Sequence, residues 1–196
     1  MNETAVYGLV LAGGRSRRMG RDKALLERQG RSQLEHMVAL LGRHVERVFV
    51  STRPEQADEP ERSRFEQVVD RYDDLGPLAG ILSAMDEHPG VDWLVVACDL
   101  PNVGDDTIRH LLANRSAEHP FTAFVSSHDG LPEPLCAVWR GDAIDVIHER
   151  LDEGIRCPRK ILIRSDTHLI AQEDPRWLDN VNTPDDLAGS VLEARA

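Results

Sequence analysis

An apolar run over residues 5–10 leads straight into Leu11-Ala12-Gly13-Gly14-Arg15-Ser16-Arg17-Arg18-Met19-Gly20-Arg21-Asp22-Lys23. A buried strand therefore feeds a glycine-rich, cationic turn, an arrangement suited to phosphate. Glycine lets backbone N–H groups approach a polyphosphate closely, and four arginines with Lys23 add donors and positive charge. The stretch is not a Walker A loop, which closes on Gly-Lys-Ser/Thr, and it lacks the three-glycine spacing of a dinucleotide-binding turn. Its charge runs against the chain as a whole, whose formal net charge is -11.

That acidic balance argues against a general nucleic-acid-binding surface but not against a nucleotide. At 196 residues and 41% hydrophobic, the chain can bury one sizeable core and reads as a single domain over 1–196. The first apolar run stops at Gly13, short of the ~20 residues of a membrane span. Met1-Asn2-Glu3-Thr4 has no basic leader, so a cytoplasmic protein without a membrane partner is expected. Cys98, Cys136 and Cys157 are widely spaced, favouring neither disulfides nor structural zinc, and are expected to be buried or inert. The histidines show no metal-ligand spacing. Lys23 and Lys160 are the only lysines, which makes Lys23 a poor candidate for a generic solubility residue.

Hydrophobic periodicity places strands over 5–12, 47–52, 67–70 and 93–97, alternating with helices over 33–41, from Pro77, and over 105–112. Such alternation predicts an α/β fold, a Rossmann-like three-layer α/β/α arrangement with a mostly parallel sheet, whose ligands sit outside the carboxyl ends of the strands. The second half is mixed. Strands over 121–126 and 133–140 around a turn at His128-Asp129-Gly130 predict a small antiparallel excursion that walls a second pocket. Helices follow over 142–151 and from Pro158, a strand over 168–171, and a helix start at Thr183-Pro184-Asp185-Asp186. The charged segment 54–64, with two prolines, reads as a mobile loop or frayed helix.

The phosphate turn and Asp99, in Cys98-Asp99-Leu100-Pro101, both fall at the ligand edge of the sheet. A carboxylate there suits Mg²⁺, whose remaining positions are filled by phosphate oxygens and water. Arg18 and Lys23 follow the glycines at a distance that lets their side chains fold back over a polyphosphate, lysine with a compact charge and arginine with a fork of donors. Asp70 is a candidate for a ribose or base contact, with a turn-forming role as the alternative. Gly76 and Gly80 bring a helix N-terminus toward the ligand side. Asn180 and Asn182 place two amides beside the last helix start, where capping is the plain alternative.

Six ordered blocks resemble the molybdenum cofactor guanylyltransferases: LAGGRSRRMGRDK, VVD ending at Asp70, GPLAGI, ACDLP, EPLCAVW and NVNTPDD. The first and fourth are shared with many sugar and cofactor nucleotidyltransferases, whereas GPLAGI with NVNTPDD points to the molybdenum branch. The resemblance implies transfer of GMP from GTP to the phosphate of molybdopterin with Mg²⁺. It implies a nucleotide-binding half over 1–115 and an acceptor-binding half over 116–196. Leu11, Ala12, Gly13, Gly14, Lys23, Asp70, Gly80 and Asp99 would contact the nucleotide, Asp99 the metal, and Asn180 and Asn182 the acceptor. Downstream partners would be molybdenum-insertion proteins and molybdoenzyme chaperones. The chain departs from the family at Ser51-Thr52-Arg53, where Asn-Arg is common, so no contact is assigned to that strand end. It also carries a proline in the loop Arg156-Cys157-Pro158-Arg159-Lys160. The rivals are a cytidylyltransferase for the same pterin, a transferase for another phosphorylated acceptor, and a non-catalytic nucleotide-binding module, against which the paired presence of Lys23 and Asp99 argues.

Overall fold

Leu9 and Val10 are both fully buried, and they face opposite sides of one sheet, each into its own core. The computed structural model describes residues 4–14, 22–181, 186 and 192; Arg18, Asn182 and the expected helix start at 183–185 lie outside these. Along the chain come β1 (Val6–Leu11), a two-residue pair β2 (Glu27–Arg28) and β3 (Arg31–Ser32), α1 (Gln33–Leu41), β4 (Val48–Thr52) and β5 (Gln67–Val69). Then follow α2 (Pro77–Glu87), β6 (Asp92–Ala97), α3 (Asp105–Ala113), β7 (Phe121–Val125), β8 (Pro132–Trp139), α4 (Ile144–Asp152), α5 (Pro158–Ile163) and β9 (Thr167–Ile170).

Seven strands form one sheet in the order β5-β4-β1-β6-β8-β7-β9. Of these, β8 alone runs antiparallel, pairing with both β6 and β7, while the other pairings are parallel. The mostly parallel sheet with an antiparallel excursion is thus present as expected. Buried residues alternate along each central strand: Leu9, Trp93, Val95, Ala137 and Trp139 point into a core shared with α2, α4 and α5. Val10, Leu94, Val96, Cys136 and Val138 point into a second core with α1 and α3. Strands covered on both faces read as continuous apolar runs, which is why 93–97 stood out in the sequence.

Local chemistry sets the helix starts. The Ser32 hydroxyl caps α1 by accepting the Glu35 N–H at 3.0 Å. Pro77 opens α2 after Gly76, whose φ of 56° is a left-handed value that glycine adopts without strain. The helix expected over 142–151 begins as a 3₁₀ turn, Gly141–Ala143, and continues as α4. The β2–β3 pair, turned by Gln29 and Gly30 at φ 52° and 78°, was not foreseen, since two-residue strands carry no readable period.

The reading of 54–64 as a mobile loop or frayed helix needs correction. The segment holds two 3₁₀ turns, Pro54–Gln56 and Arg62–Arg64, and it is docked. Gln56 is 5% exposed, Arg62 is fully buried, and the Gln67 amide donates to the Ala57 carbonyl at 3.0 Å. Composition misled here because a buried arginine looks, in sequence, like a solvated one.

Trp139 is fully buried where β6, β7 and β8 meet. Trp139→Ala is expected to cost about 3–5 kcal/mol in urea denaturation. Leu169→Ala, on a half-exposed edge-strand residue, should stay within about 0.5 kcal/mol.

Candidate functional site

The chain leaves β1 for α1, builds β4 and β5 on one side, then returns to lay β6 on the other side of β1. The carboxyl ends of β1 and β6 therefore flank the point where strand order reverses, the usual crevice for ligands in such sheets. Their register is flush, with Leu11 opposite Ala97. Beyond β1, Asp22 accepts the Ala24 N–H at 3.0 Å and caps a 3₁₀ turn over Lys23–Leu25. That turn carries Lys23 to the end of β6, where its Nζ lies 3.3 Å from Asp99 Oδ2. Both side chains are partly exposed, 14% and 27%, so a ligand can reach between them.

Gly13 and Gly14 follow β1 directly, Gly14 with open space on its side-chain face. Leu11 and Ala12 are buried, and Ala12 donates its N–H to the Ser51 carbonyl at 3.3 Å. They contribute backbone and position rather than side-chain chemistry.

A second group of residues gathers at the ends of β4 and β5. The Ser51 hydroxyl, 3% exposed, donates to Asp70 Oδ1 at 2.9 Å. Arg53 donates through Nε–H to the Gly13 carbonyl at 2.6 Å. The strand end to which the sequence assigned no contact is thus joined to the phosphate turn. Gly80, buried in α2, sits against this pair: a Cβ there would fall 2.1 Å from Ser51 Oγ and 3.2 Å from Asp70 Oδ1. Glycine is required so that helix and strand can approach, which gives Gly80 a positioning role. At Gly13 a Cβ would lie 3.5 Å from Asp70 Oδ2, so that oxygen borders the phosphate turn. Burial pushes the Asp70 carboxyl up to about 6, against the opposing pull of the Ser51 hydroxyl and Arg53.

Asp99 also opens onto a cleft of about 780 Å³, walled by Pro101 and Asn102, Ser126, His128 and Asp129 of the β7–β8 turn, Glu133 to Cys136 of β8, Arg159, and Leu178 to Val181. This is the second pocket expected from the antiparallel excursion. Val181 donates its N–H to the Asp99 carbonyl at 3.0 Å, which brings exposed Asn180 to the cleft beside Asp99. Arg159 is held by Asp129 at 3.0 Å and Glu133 at 2.7 Å. Neither Arg159 nor Glu133 was given a role from sequence, although Glu133 opens the block EPLCAVW and Arg159 lies in the loop that carries Pro158. Burial pushes the Cys98 and Cys136 thiols up to about 12, so neither is a nucleophile. Cys157 is exposed, unlike the other two.

Residues 8–169 match the family model described as the MobA-like NTP transferase domain. The chain belongs to this family. A Bacillus cereus relative named "Probable molybdenum cofactor guanylyltransferase" is 33% identical over 189 residues, covering 91% of this chain and 92% of its own. A Synechocystis "Molybdenum cofactor biosynthesis bifunctional protein" is 37% identical over 186 residues. The match covers 95% of this chain, which spans about half, 54%, of that protein's length. Among solved structures, molybdopterin-guanine dinucleotide biosynthesis protein A from Archaeoglobus fulgidus superposes with a TM-score of 0.76 at 26% identity, covering 93% of this chain and 95% of its own. Membership makes this an NTP-transferase fold in which the turn after β1 and the carboxylate after β6 occupy one crevice. Among the described residues no helix is long and apolar enough to cross a membrane.

The Asp70 carboxyl sets a pH dependence whose sign follows from its raised value. Between 3.8 and about 6 the folded chain holds a proton that the unfolded chain releases, so the stability contributed by this group is present at low pH and falls as pH rises through that window. Urea denaturation of wild type and Asp70→Asn at pH about 4 and about 7 checks this: the unfolding free energy of wild type minus variant is expected to decrease with pH. A difference that rises would contradict the assignment.

Proposed function

We propose that this chain transfers GMP from GTP to the phosphate of molybdopterin, releasing pyrophosphate. The observation that carries the reading is the Lys23–Asp99 pair at 3.3 Å across the β1–β6 crevice, with Asp99 also facing the cleft that ends at Asn180. The names carried by the relatives favour guanylyl over cytidylyl transfer. One oxygen of the acceptor phosphate forms a bond to the α-phosphorus as the bond from that phosphorus to the β-bridging oxygen breaks. The electron pair leaves with pyrophosphate. A phosphate nucleophile is ionised at neutral pH, so no protein base is needed, which matches a crevice whose two thiols are kept protonated.

Each residue then has a stated task. Backbone N–H groups at Gly13 and Gly14 approach the polyphosphate, and Lys23 places a compact positive charge where leaving oxygens gain negative charge. Asp70, with Ser51 bound to one oxygen, accepts donors of the nucleoside. Asn180 serves the acceptor from the cleft; Arg18 and Asn182 extend the two groups by their place in the motifs. The described residues include no cluster of three His, Cys, Asp or Glu side chains suited to a metal. That fits Mg²⁺, which keeps several waters and commonly takes one or two carboxylates plus substrate phosphates. Asp99 would hold it, and the ion would neutralise charge on the phosphate oxygens.

Pyrophosphate release from GTP, and separately from CTP, with Mg²⁺ and molybdopterin present or omitted in turn, tests the reading. Acceptor-dependent release from GTP alone is expected; release from CTP alone would assign the sister activity, and release from neither would refute transfer to this acceptor. Asp99→Ala is expected to lower turnover roughly 10²-fold or more. Lys23→Ala should raise the GTP KM while its circular dichroism melt stays near wild type, because the side chain lies at a partly exposed edge.

A further inference from the structure

The proposed site leaves one buried charge without a task. Arg62 is fully buried. Its guanidinium donates to the Ala12 carbonyl at 2.8 Å and to Asp22 Oδ2 at 2.7 Å, and it pairs with Glu59. Its Nε is buried without a hydrogen-bond partner. Burying a guanidinium carries a desolvation cost that such pairs often fail to recover, so the arrangement is a poor way to gain stability alone. Its geometry, however, is specific. Ala12 and Asp22 stand at the two flanks of the glycine-rich phosphate turn, ten positions apart, and a single nitrogen, Nη2, donates to both while Nη1 pairs with Glu59.

We infer that Arg62 is a positioning residue of the nucleotide site, closing the two flanks of the phosphate turn so that the capped turn after Asp22 aims Lys23 at Asp99. This rests on the proposed role of that turn in holding GTP. The chain of contacts is continuous. Arg62 holds Asp22; Asp22 Oδ1 accepts the Ala24 N–H at 3.0 Å; the turn so capped carries Lys23, whose Nζ lies 3.3 Å from Asp99. The platform under Arg62 is itself anchored, since the Ser32 hydroxyl that caps α1 also donates to Glu61 at 2.5 Å. Asp22 and Glu59 keep 24% and 40% of their side-chain surface exposed. Removing the arginine therefore leaves neither carboxylate stranded away from water, and a folded variant is attainable.

Steady-state kinetics with GTP and molybdopterin, alongside thermal melts, on Arg62→Lys, Arg62→Met and Asp22→Asn test the inference. Lysine keeps the charge but ends one bond short of Nη2 and has no second nitrogen for Glu59; methionine keeps bulk alone; asparagine at 22 can still cap Ala24 but loses the ion pair. Each is expected to raise the GTP KM by about tenfold or more, within the ~10²-fold that a misplacement of about 1 Å can cost, with the molybdopterin KM within about twofold of wild type. Arg62→Lys combined with Asp22→Asn should be no worse than the worse single variant, because both break the same link. An unchanged GTP KM in folded variants would overturn the inference. So would equal losses in both substrates that track the folded fraction, the outcome of a merely structural role. Asp22→Asn decides the matter if Arg62→Met does not fold. Absence of GTP binding by wild type would remove the proposed function and this inference together, whereas intact wild-type binding with unaffected variants removes the inference alone.

Discussion

The flush parallel pairing of β1 with β6 is the constraint on which the rest depends. Both strands are buried on both faces, so a slip by one residue would send every side chain to the wrong core. With register so determined, Leu11 ends opposite Ala97, and whatever follows each strand must meet at one crevice. Gly13 and Gly14 follow the first; Asp99 follows the second. Register thus brings Gly13 and Asp99 to one crevice, and the turn capped by Asp22 then carries Lys23 to Asp99, a contact between residues 76 positions apart.

The electrostatics at this edge run against the chain as a whole. A molecule with a formal net charge of -11 repels polyphosphate at a distance, so local cations must offset that field where the ligand lies. Lys23 and Arg53 do so at the surface of the crevice, while Arg62 lies beneath it. Depth separates their tasks. A partly exposed lysine can exchange water for phosphate at small cost, whereas a buried guanidinium already committed to Ala12 and Asp22 cannot and is better suited to holding geometry.

What was legible in the sequence follows the same division. The strands and helices of the first half were readable because two-sided burial leaves continuous apolar runs and amphipathic helices leave a period; α1 fell over 33–41 as read. Gly76 declared itself through its place before Pro77. The residues that escaped notice are polar groups whose importance comes from what they touch. Ser51 ends a strand like many serines, yet its hydroxyl holds Asp70. Arg53 stood where the family pattern was broken, yet it reaches the Gly13 carbonyl. Arg62 sat in a stretch of Glu, Asp and Arg whose composition favours solvent, yet it is the most buried charge described. Spacing reports which face a residue lies on, and it is silent on contacts made across 40 or 50 positions.

The antiparallel strand explains why a second ligand can share this edge. In a wholly parallel sheet each strand delivers only its carboxyl end to the crevice. Because β8 runs against its neighbours, its first residues, from Pro132 to Cys136, arrive at the same edge as Ser126 at the end of β7. The register shift between Ala123 and Phe124 falls in this hairpin, where a bulge bends the strand and re-aims its side chains. The wall so formed is acidic: Asp129 and Glu133 hold Arg159, and His128 meets Asp179 at 3.2 Å. Arg159 is therefore already engaged, and the cation linked directly to Asp99 at the cleft mouth is Lys23. On the proposed function, an acceptor carrying both a phosphate and an uncharged heterocycle would be oriented by that contrast, with its phosphate toward the Lys23–Asp99 end and its ring among Pro134, Leu135, Cys136 and Leu178. The same gradient that would repel phosphate from the body of the cleft would, on that proposal, direct it toward Lys23 and the phosphate turn.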